Sequence, residues 1–306
     1  MNRVGFHATH ETQPTKMVFL DSVDCVQFTQ LTSHFAFSFK DAIETGPGEG
    51  MLVSLSSASI PYSFYNIRTG INDQLQYGKG GVLQAPITVE PGNYSASTLA
   101  KALIAAFAVP SVDVTLLMSY DKITQKYALS SANGLSFEFD QDRNIKNEIG
   151  FGGSSGSVPI STDAATPTAS AQAADLNGSV HAIYIRTNLA TKSVMESQTG
   201  GVSDILAKID INTDPGGVIT LDPNRVSHEA LIHTAGIKHL EIRITDERNR
   251  LLDLNGLHSQ VALRFRFVDT KVSAAITTAD ARVRVNPADA PQLKPPKPTV
   301  PRKKKK

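Results

Sequence analysis

The sequence predicts a mainly β protein made of two antiparallel β-sandwich domains with one or two short helices. Short stretches of alternating apolar and polar residues recur along the chain, and glycine, proline and asparagine turns separate them. Only one stretch has a clear helical stripe. With 306 residues, the chain also exceeds the length at which one hydrophobic core usually keeps growing, so two domains are expected.

The composition supports packed cores and limits the chemistry. Hydrophobic residues make up 41% of the chain, and the aromatic packing must rest on 13 Phe and 7 Tyr because Trp is absent. The single cysteine, Cys25, excludes an intrachain disulfide framework and a cysteine-based zinc cluster. Cys25 lies close to Asp21 and Asp24 without a neighbouring cation, which favours an inert buried thiol over a nucleophile.

The first predicted domain covers residues 17–151 and follows an N-terminal arm, residues 1–16, that lacks periodicity. Residues 34–40 alternate, with three phenylalanines on one face, and therefore predict a half-buried strand. Residues 51–60 predict a second strand, which Pro61 ends because proline cannot donate to a ladder.

The hydrophobic period changes after the turn at Pro91 and Gly92. Ser95 or Ser97 is suited to cap a helix over residues 96–107, whose stripe is formed by Leu99, Leu103 and Phe107. Strands follow at 112–120, 122–130 and 135–139, and Asn133-Gly134 predicts a hairpin between the last two. A short helical turn is expected over residues 143–148.

The second predicted domain covers residues 178–269 and follows residues 152–177, which are rich in Gly, Ser, Thr and Ala. Such a composition buries little apolar surface, so residues 152–177 are expected to form a linker or a long exposed loop. Strands are expected at 179–187, 205–211 and 218–221, and the last pair is expected to be 237–245 with 259–268.

The C-terminal tail, residues 270–306, is strongly basic. It has ten Lys or Arg against two Asp, a net charge of +8, whereas the rest of the chain has a net charge of −7. Its proline content predicts an extended conformation that does not pack. The residues that would bind a polyanion are Arg302, Lys303, Lys304, Lys305 and Lys306. A nuclear-import signal and a purely solubilising tail are the alternatives.

Motifs for metal binding are weak, and no metal or cofactor is expected. His7 and His10 have H-x-x-H spacing but lack a third ligand at metal spacing. Asp140, Asp142 and Asn144 resemble the start of a calcium loop, but its sixth and twelfth positions carry Ile145 and Phe151. An incidental histidine pair and an ordinary acidic turn are therefore favoured.

Catalytic groupings are equally weak, so a non-enzymatic protein is expected. The chain has no phosphate-binding loop and no G-x-S-x-G nucleophile motif. His228, His233, His239 and His258 are expected to be surface residues. Asp246, Glu247 and Asp253 are expected to form a solvated charge network with nearby arginines and not an acid–base pair.

Four segments carry a resemblance to a known family of proteins: IPYSFYNI at 60–67, ITVEPGNYSASTLAKAL at 87–103, Gly150-Phe151, and LEIRITDERNRLLDLNG with LRFRF at 240–267. Together they resemble virion structural proteins of eukaryotic double-stranded DNA viruses, specifically minor capsid or vertex (penton-like) proteins of the polinton, virophage and giant-virus lineage. The resemblance implies jelly-roll-like domains, a virion location after synthesis in the host cytoplasm, and contacts with copies of the chain and other capsid proteins.

Subunit contacts would then use exposed loops with aromatic and arginine residues, which are enriched in interface cores. The predicted contact residues are Tyr62, Phe64, Tyr65, Arg248 and Arg250. The alternative is a spike or a receptor- or carbohydrate-binding β-sandwich module. A membrane-spanning helix is not expected, because no stretch approaches about 20 apolar residues.

Overall fold

The computed structural model describes residues 15–108, 115–140, 142–189, 194–197, 200–221, 228–232 and 234–269. The predicted basic tail lies outside the described residues, as do His7, His10 and His233. The predicted arm lies outside them up to residue 14. Strand structure already begins at Thr15, two residues before the predicted start of the first domain at residue 17.

The described chain forms twenty β-strands, one α-helix and one 3-10 turn. It begins with β1 (Thr15–Asp21), a 3-10 turn (Ser22–Asp24), β2 (Val26–Gln27), β3 (His34–Glu44) and β4 (Glu49–Pro61). It continues with β5 (Gln74–Lys79), β6 (Val82–Leu83), β7 (Ile87–Thr88), α1 (Ala96–Phe107), β8 (Leu117–Asp121), β9 (Lys126–Ser130), β10 (Leu135–Glu138), β11 (Ser157–Pro159) and β12 (Thr168–Ala169). It ends with β13 (Ala182–Thr187), β14 (Met195–Glu196), β15 (Gly201–Val202), β16 (Ile205–Asp210), β17 (Val218–Thr220), β18 (Ala230–Ile232), β19 (Gly236–Thr245) and β20 (Gln260–Asp269).

The first core lies between two antiparallel sheets. One has the strand order β1-β20-β4-β17, with β18 also paired to β4, and the other has the order β16-β13-β19-β3-β2. Phe35 from β3, Leu55 from β4 and Phe265 from β20 are almost fully buried in the same apolar cluster. Two sheets that share one core form a β-sandwich.

The second core combines two sheets of shorter strands with the helix. The sheets have the orders β11-β10-β5-β6, with β7 paired to β5, and β12-β9-β8. Phe107 at the end of α1 contacts Tyr77 at a ring-centroid distance of 5.2 Å and Phe137 at 5.8 Å. Since the named strands within the described ranges all pair antiparallel, the predicted mainly β class with antiparallel sheets is confirmed.

The helix predicted at 96–107 is confirmed with the same bounds. Ser95 is its N-cap, because its side chain accepts from the backbone N–H of Thr98, and Leu99, Leu103 and Phe107 form its buried stripe. Residues 142–150 form turns and bridges in place of the second helical turn that was expected there. No helix among the described residues is long and apolar enough to cross a membrane.

The two cores are not consecutive in the sequence, which differs from the predicted division into residues 17–151 and 178–269. The first core takes its strands from both ends of the described chain, since β1 and β4 both pair with β20. The second core is inserted between them and covers Ile67 to Ile160. Residues 152–177 are part of this insertion: β11 pairs with β10, β12 pairs with β9, and Ile160 and Ser170 are buried. Backbone pairing, which composition does not reveal, orders this segment.

Two predicted strand pairings are also wrong. The turn at Asn133-Gly134 is present, with Gly134 at φ +63°, but it connects β9 and β10, which belong to different sheets. The predicted last pair likewise separates, because β19 pairs with β13 and β3 whereas β20 pairs with β1 and β4. In both cases the predicted strands are present, but they do not pair with each other. Each pairs with other strands of its own sheet instead.

The chain leaves the first core and returns to it at one narrow crossing. Asn66 lies on the outgoing segment, and its side-chain amide donates to the carbonyl oxygens of Tyr94 (2.7 Å) and Leu176 (2.8 Å). Gly178 lies on the returning segment at φ +64°, and a Cβ atom there would lie 2.2 Å from the Asn66 carbonyl oxygen. Glycine is therefore required at position 178 for both its backbone conformation and its lack of a side chain.

We expect Gly178→Ala to destabilise the protein more than Gly70→Ala. Both positions have a positive φ, which costs a non-glycine residue roughly 1–2 kcal/mol, but a Cβ atom at Gly70 would meet nothing within 4 Å. The clash at Gly178 should add about 1–3 kcal/mol to the loss of unfolding free energy. Urea unfolding of the two variants measures the difference, and equal losses would contradict the close approach.

Candidate functional site

The predicted aromatic contact residues are mostly part of the first core. Phe64 is 1% exposed and Tyr62 is buried, and their rings stack at a centroid distance of 4.5 Å. The assignment of these two side chains to a subunit interface is therefore wrong for the folded chain, because their surface is already covered from within. Tyr65, which is 37% exposed, stays available for contacts.

The two predicted arginines lie where the two cores meet. Arg250 is held inside the chain, since its Nε donates to Asp246 Oδ2 at 2.7 Å. The Arg248 side chain is exposed and lines a cavity together with Arg68. Residues 302–306, which were predicted to bind a polyanion, lie outside the described residues, so this assignment stays a prediction.

The weak metal and nucleophile motifs are engaged in local structure. Asp140 accepts from the backbone N–H of Gly156 at 2.7 Å, and the Asn144 side chain donates to the Glu138 carbonyl oxygen. In the described part of the chain, no three His, Cys, Asp or Glu side chains group as metal ligands. Burial, followed by the charges of Asp24 and Asp21, raises the pKa of the Cys25 thiol.

A polar cavity of about 250 Å³ lies at the junction of the two cores. Arg68, Asn72 and residues 142–148 reach it from the insertion, while Arg248 and Arg250 reach it from the loop after β19. Its ionisable lining residues are five cations and two acids, namely Arg68, Arg143, Lys146, Arg248, Arg250, Asp142 and Glu148. The lining is therefore strongly cationic.

A buried ion pair connects the two cores at this junction. Arg68 Nη1 donates to Asp246 Oδ2 at 3.2 Å, and Arg68 Nη2 donates to the Gly178 carbonyl oxygen at 3.1 Å. Desolvation lowers the pKa of Arg68 most, followed by the charge of Arg250, while Asp246 opposes both. Buried charges need such pairing to be tolerated.

Glu148 is the second buried ionisable group of the cavity. Its Oε1 accepts from Asn72 Nδ2 at 2.6 Å, whereas its Oε2 has no hydrogen-bond partner and is buried. Desolvation, assisted by the charge of Asp175, raises the pKa of Glu148 to about 7, although Asn72 and Arg68 act in the opposite direction. Glu148 therefore changes its charge near neutral pH.

Sequence reasoning missed Arg68, Asn72 and Glu148, because they belong to no spaced motif. One local signal exists in the sequence, because Glu148 lies between Ile145 and Ile149. Both isoleucines are fully buried in the structure. A carboxylate between buried apolar residues indicates a raised pKa.

A second charged cluster, around Arg186 in the first core, contrasts with this cavity. Arg186 forms ion pairs with Glu196 at 2.5 Å and Asp204 at 2.6 Å, and Arg243 also pairs with Asp204. Arg186 Nε donates to the Thr245 hydroxyl oxygen. Because the Arg186 guanidinium is matched by partners within the chain, this cluster is structural.

Exposed apolar side chains lie on and beside the terminal strands of the two sheets of the sandwich. β1 is the outermost described strand of one sheet, and β2 is the outermost described strand of the other. Five large apolar side chains on β1, β2 and the residues beside them are exposed, and we call them the open edge: Met17, Phe19, Val23, Val26 and Phe28. Phe19 is 78% exposed. Contiguous exposed apolar residues commonly mark interaction surfaces.

No family model matches the chain, and no curated protein matches it. Among solved structures, the chain is a structural neighbour of the mavirus penton protein, with 12% sequence identity, coverage of 83% of this chain and 100% of that chain, and a TM-score of 0.45. The D2–D3 domains of the flagellar cap protein FliD from Escherichia coli match with 13% identity, coverage of 76% and 99%, and a TM-score of 0.20. Both similarities are remote, so the functional conclusion depends on this chain's own residues.

We expect Glu148→Gln to remove a pH-dependent loss of stability. The folded-state pKa of about 7 exceeds the ordinary value of 4.5, so the folded protein binds more protons than the unfolded chain between these values. The wild-type unfolding free energy should therefore lose on the order of 3 kcal/mol from this group as the pH rises from about 4.5 to about 7.

Urea unfolding at pH 5 and pH 8 measures this change. The variant should gain stability relative to wild type at pH 8, because the substituted amide side chain carries no charge to bury. Exposed Glu90 provides the control, and Glu90→Gln should follow the wild type. Identical pH profiles for the two variants would contradict the prediction.

Proposed function

We propose that this chain is a non-enzymatic structural subunit of a virion shell, a minor capsid or vertex component that assembles with copies of itself. The observation that carries the proposal is the open edge, where Phe19, Val26 and Phe28 are exposed on a folded β body. Strands at the edge of a sheet favour pairing with another chain unless they are protected. The sequence resemblance to capsid proteins supports the same class.

The surface around Phe19 supports a second copy of this chain as the partner. Phe19 projects beside a shallow cavity of about 390 Å³, which small side chains from β4 and β20 line, among them Ser57, Ser59 and Ala262. A protruding ring next to a recess is suited to a self-complementary contact, in which each copy fills the recess of the other.

The charge distribution supports a further role in the shell for the basic tail, contact with packaged DNA. Residues 270–306 carry a net charge of +8 while the remaining chain carries −7. Lysine and arginine side chains release counterions when they neutralise phosphates, and this attraction is independent of DNA sequence.

We expect Phe19→Ser to weaken self-association. Since Phe19 is 78% exposed, the substitution should change the unfolding free energy by less than about 0.5 kcal/mol while it removes apolar contact area between copies. Light scattering with size-exclusion chromatography over a concentration series measures the change.

The matched control is Ile123→Ser. Ile123 is 93% exposed but lies in the turn between β8 and β9, away from the open edge. This variant should associate as the wild type does. A wild type that stays monomeric at all concentrations, or an equal effect of both variants, would count against the proposal.

We expect deletion of residues 298–306 to leave folding intact and to reduce salt-sensitive binding to double-stranded DNA. With the five cations lost, the slope of log affinity against log salt should become shallower by up to about 4 to 5. Replacing Lys303 to Lys306 by arginines retains the charge and should retain the slope. Fluorescence anisotropy at several salt concentrations tests both, and an unchanged slope after the deletion would exclude the tail as the DNA contact.

A further inference from the structure

Two side chains that line the junction cavity each have a buried polar atom without a hydrogen-bond partner within the described chain. Arg68 Nε has a hydrogen to donate, and Glu148 Oε2 has no hydrogen-bond partner, although both side chains line the same cavity. Buried polar groups are almost always hydrogen-bonded, and each exception requires an explanation. A ligand that contacts both atoms would provide the missing hydrogen bonds.

The cavity is large enough and has the right charge for such a ligand. Its volume of about 250 Å³ exceeds the roughly 30 Å³ that one water occupies. Arg143 forms an ion pair with Asp73, and Arg250 shares Asp246 with Arg68. The Arg248 guanidinium forms no ion pair among the described residues. Arginine donors in this number match the acceptor oxygens of an anion.

We propose that the junction cavity binds a tetrahedral oxyanion of the phosphate or sulfate class, which accepts from Arg68 Nε and the Arg248 guanidinium and from a protonated Glu148. The carboxylic acid donates through Oε2 while Oε1 keeps its bond from Asn72. Binding is thus coupled to the uptake of one proton by Glu148. The anion contacts both cores, since Arg68 and Glu148 belong to the insertion and Arg248 belongs to the loop after β19.

The groups around Glu148 set the direction of this coupling. Arg68 and Asn72 favour the ionised form, Asp175 and desolvation favour the neutral form, and the remaining charged lining residues are Asp142, Arg143, Lys146, Arg248 and Arg250. The neutral form predominates below about pH 7. An anion adds a negative charge to the site and therefore favours the neutral form further.

Calorimetric titration of the full chain with sodium sulfate tests the proposal. Sulfate is a suitable probe because its charge stays constant between pH 6 and pH 8, and sodium chloride keeps the ionic strength fixed. If only the protonated carboxyl binds, the wild-type dissociation constant should be about tenfold lower at pH 6 than at pH 8. Glu148→Gln, whose amide also donates, should bind with one affinity at both pH values.

Arg248→Gln and Lys122→Gln separate the site from general charge effects. Both remove one exposed positive charge, but only Arg248 lines the cavity. Arg248→Gln should weaken sulfate binding roughly 10-fold or more, while Lys122→Gln should bind as the wild type. Circular dichroism confirms that each variant is folded.

Four results would overturn the proposal. Three are no saturable sulfate binding at pH 6, equal binding by the wild type and Arg248→Gln, and a retained tenfold pH dependence in Glu148→Gln. The fourth is an equal binding heat when sodium chloride is titrated in place of sulfate, because it would indicate a general salt effect and not a site.

Discussion

The buried ion pair between Arg68 and Asp246 is the interaction on which the arrangement of the two cores depends. Asp246 is fully buried and accepts from the side chains of Arg68 and Arg250 and from the backbone N–H groups of Arg248 and Arg250. Its carboxylate therefore ends β19, shapes the following loop and holds the first residues of the insertion. Removing one member of a buried pair generally costs about 3–5 kcal/mol, because the other charge stays buried without compensation.

The crossing next to this pair restricts how the insertion can lie on the sandwich. Asn66 uses its amide and carbonyl groups to connect the outgoing segment with Tyr94, Leu176 and Asn72, and Gly178 allows the returning segment to touch it. The outgoing and returning segments are in contact and hydrogen-bonded at this crossing, so the insertion has less freedom to move relative to the sandwich than a flexible linker would allow. Gly178 also lines the junction cavity, and the other lining residues come from the insertion and from the loop after β19. The crossing therefore forms part of the wall of this cavity.

The proposed functions use separate parts of the molecule. The open edge lies on β1, β2 and the residues beside them, whereas the cavity is lined by residues of the insertion and of the loop after β19. β1 begins and β20 ends at the same end of one sheet, where Thr15 pairs with Arg266. The first and last described residues of this sheet, Thr15 and Asp269, therefore lie at the same end of it.

The sequence by itself determined the local elements: the mainly β class, the capped helix at 96–107, the end of β4 at Pro61 and the turn at Asn133-Gly134. These depend on alternation, capping and backbone preference, which act over a few residues. Only the tertiary structure decided that β1 pairs with β20, that residues 152–177 join the second core, and that Phe64 is buried. Asp21 and Gln260, which are paired in one ladder, are 239 residues apart. Strand partners this far apart in the sequence are selected by the packing of whole sheets. The same packing supplies the neighbours that bury the Phe64 ring and that raise the pKa of Glu148.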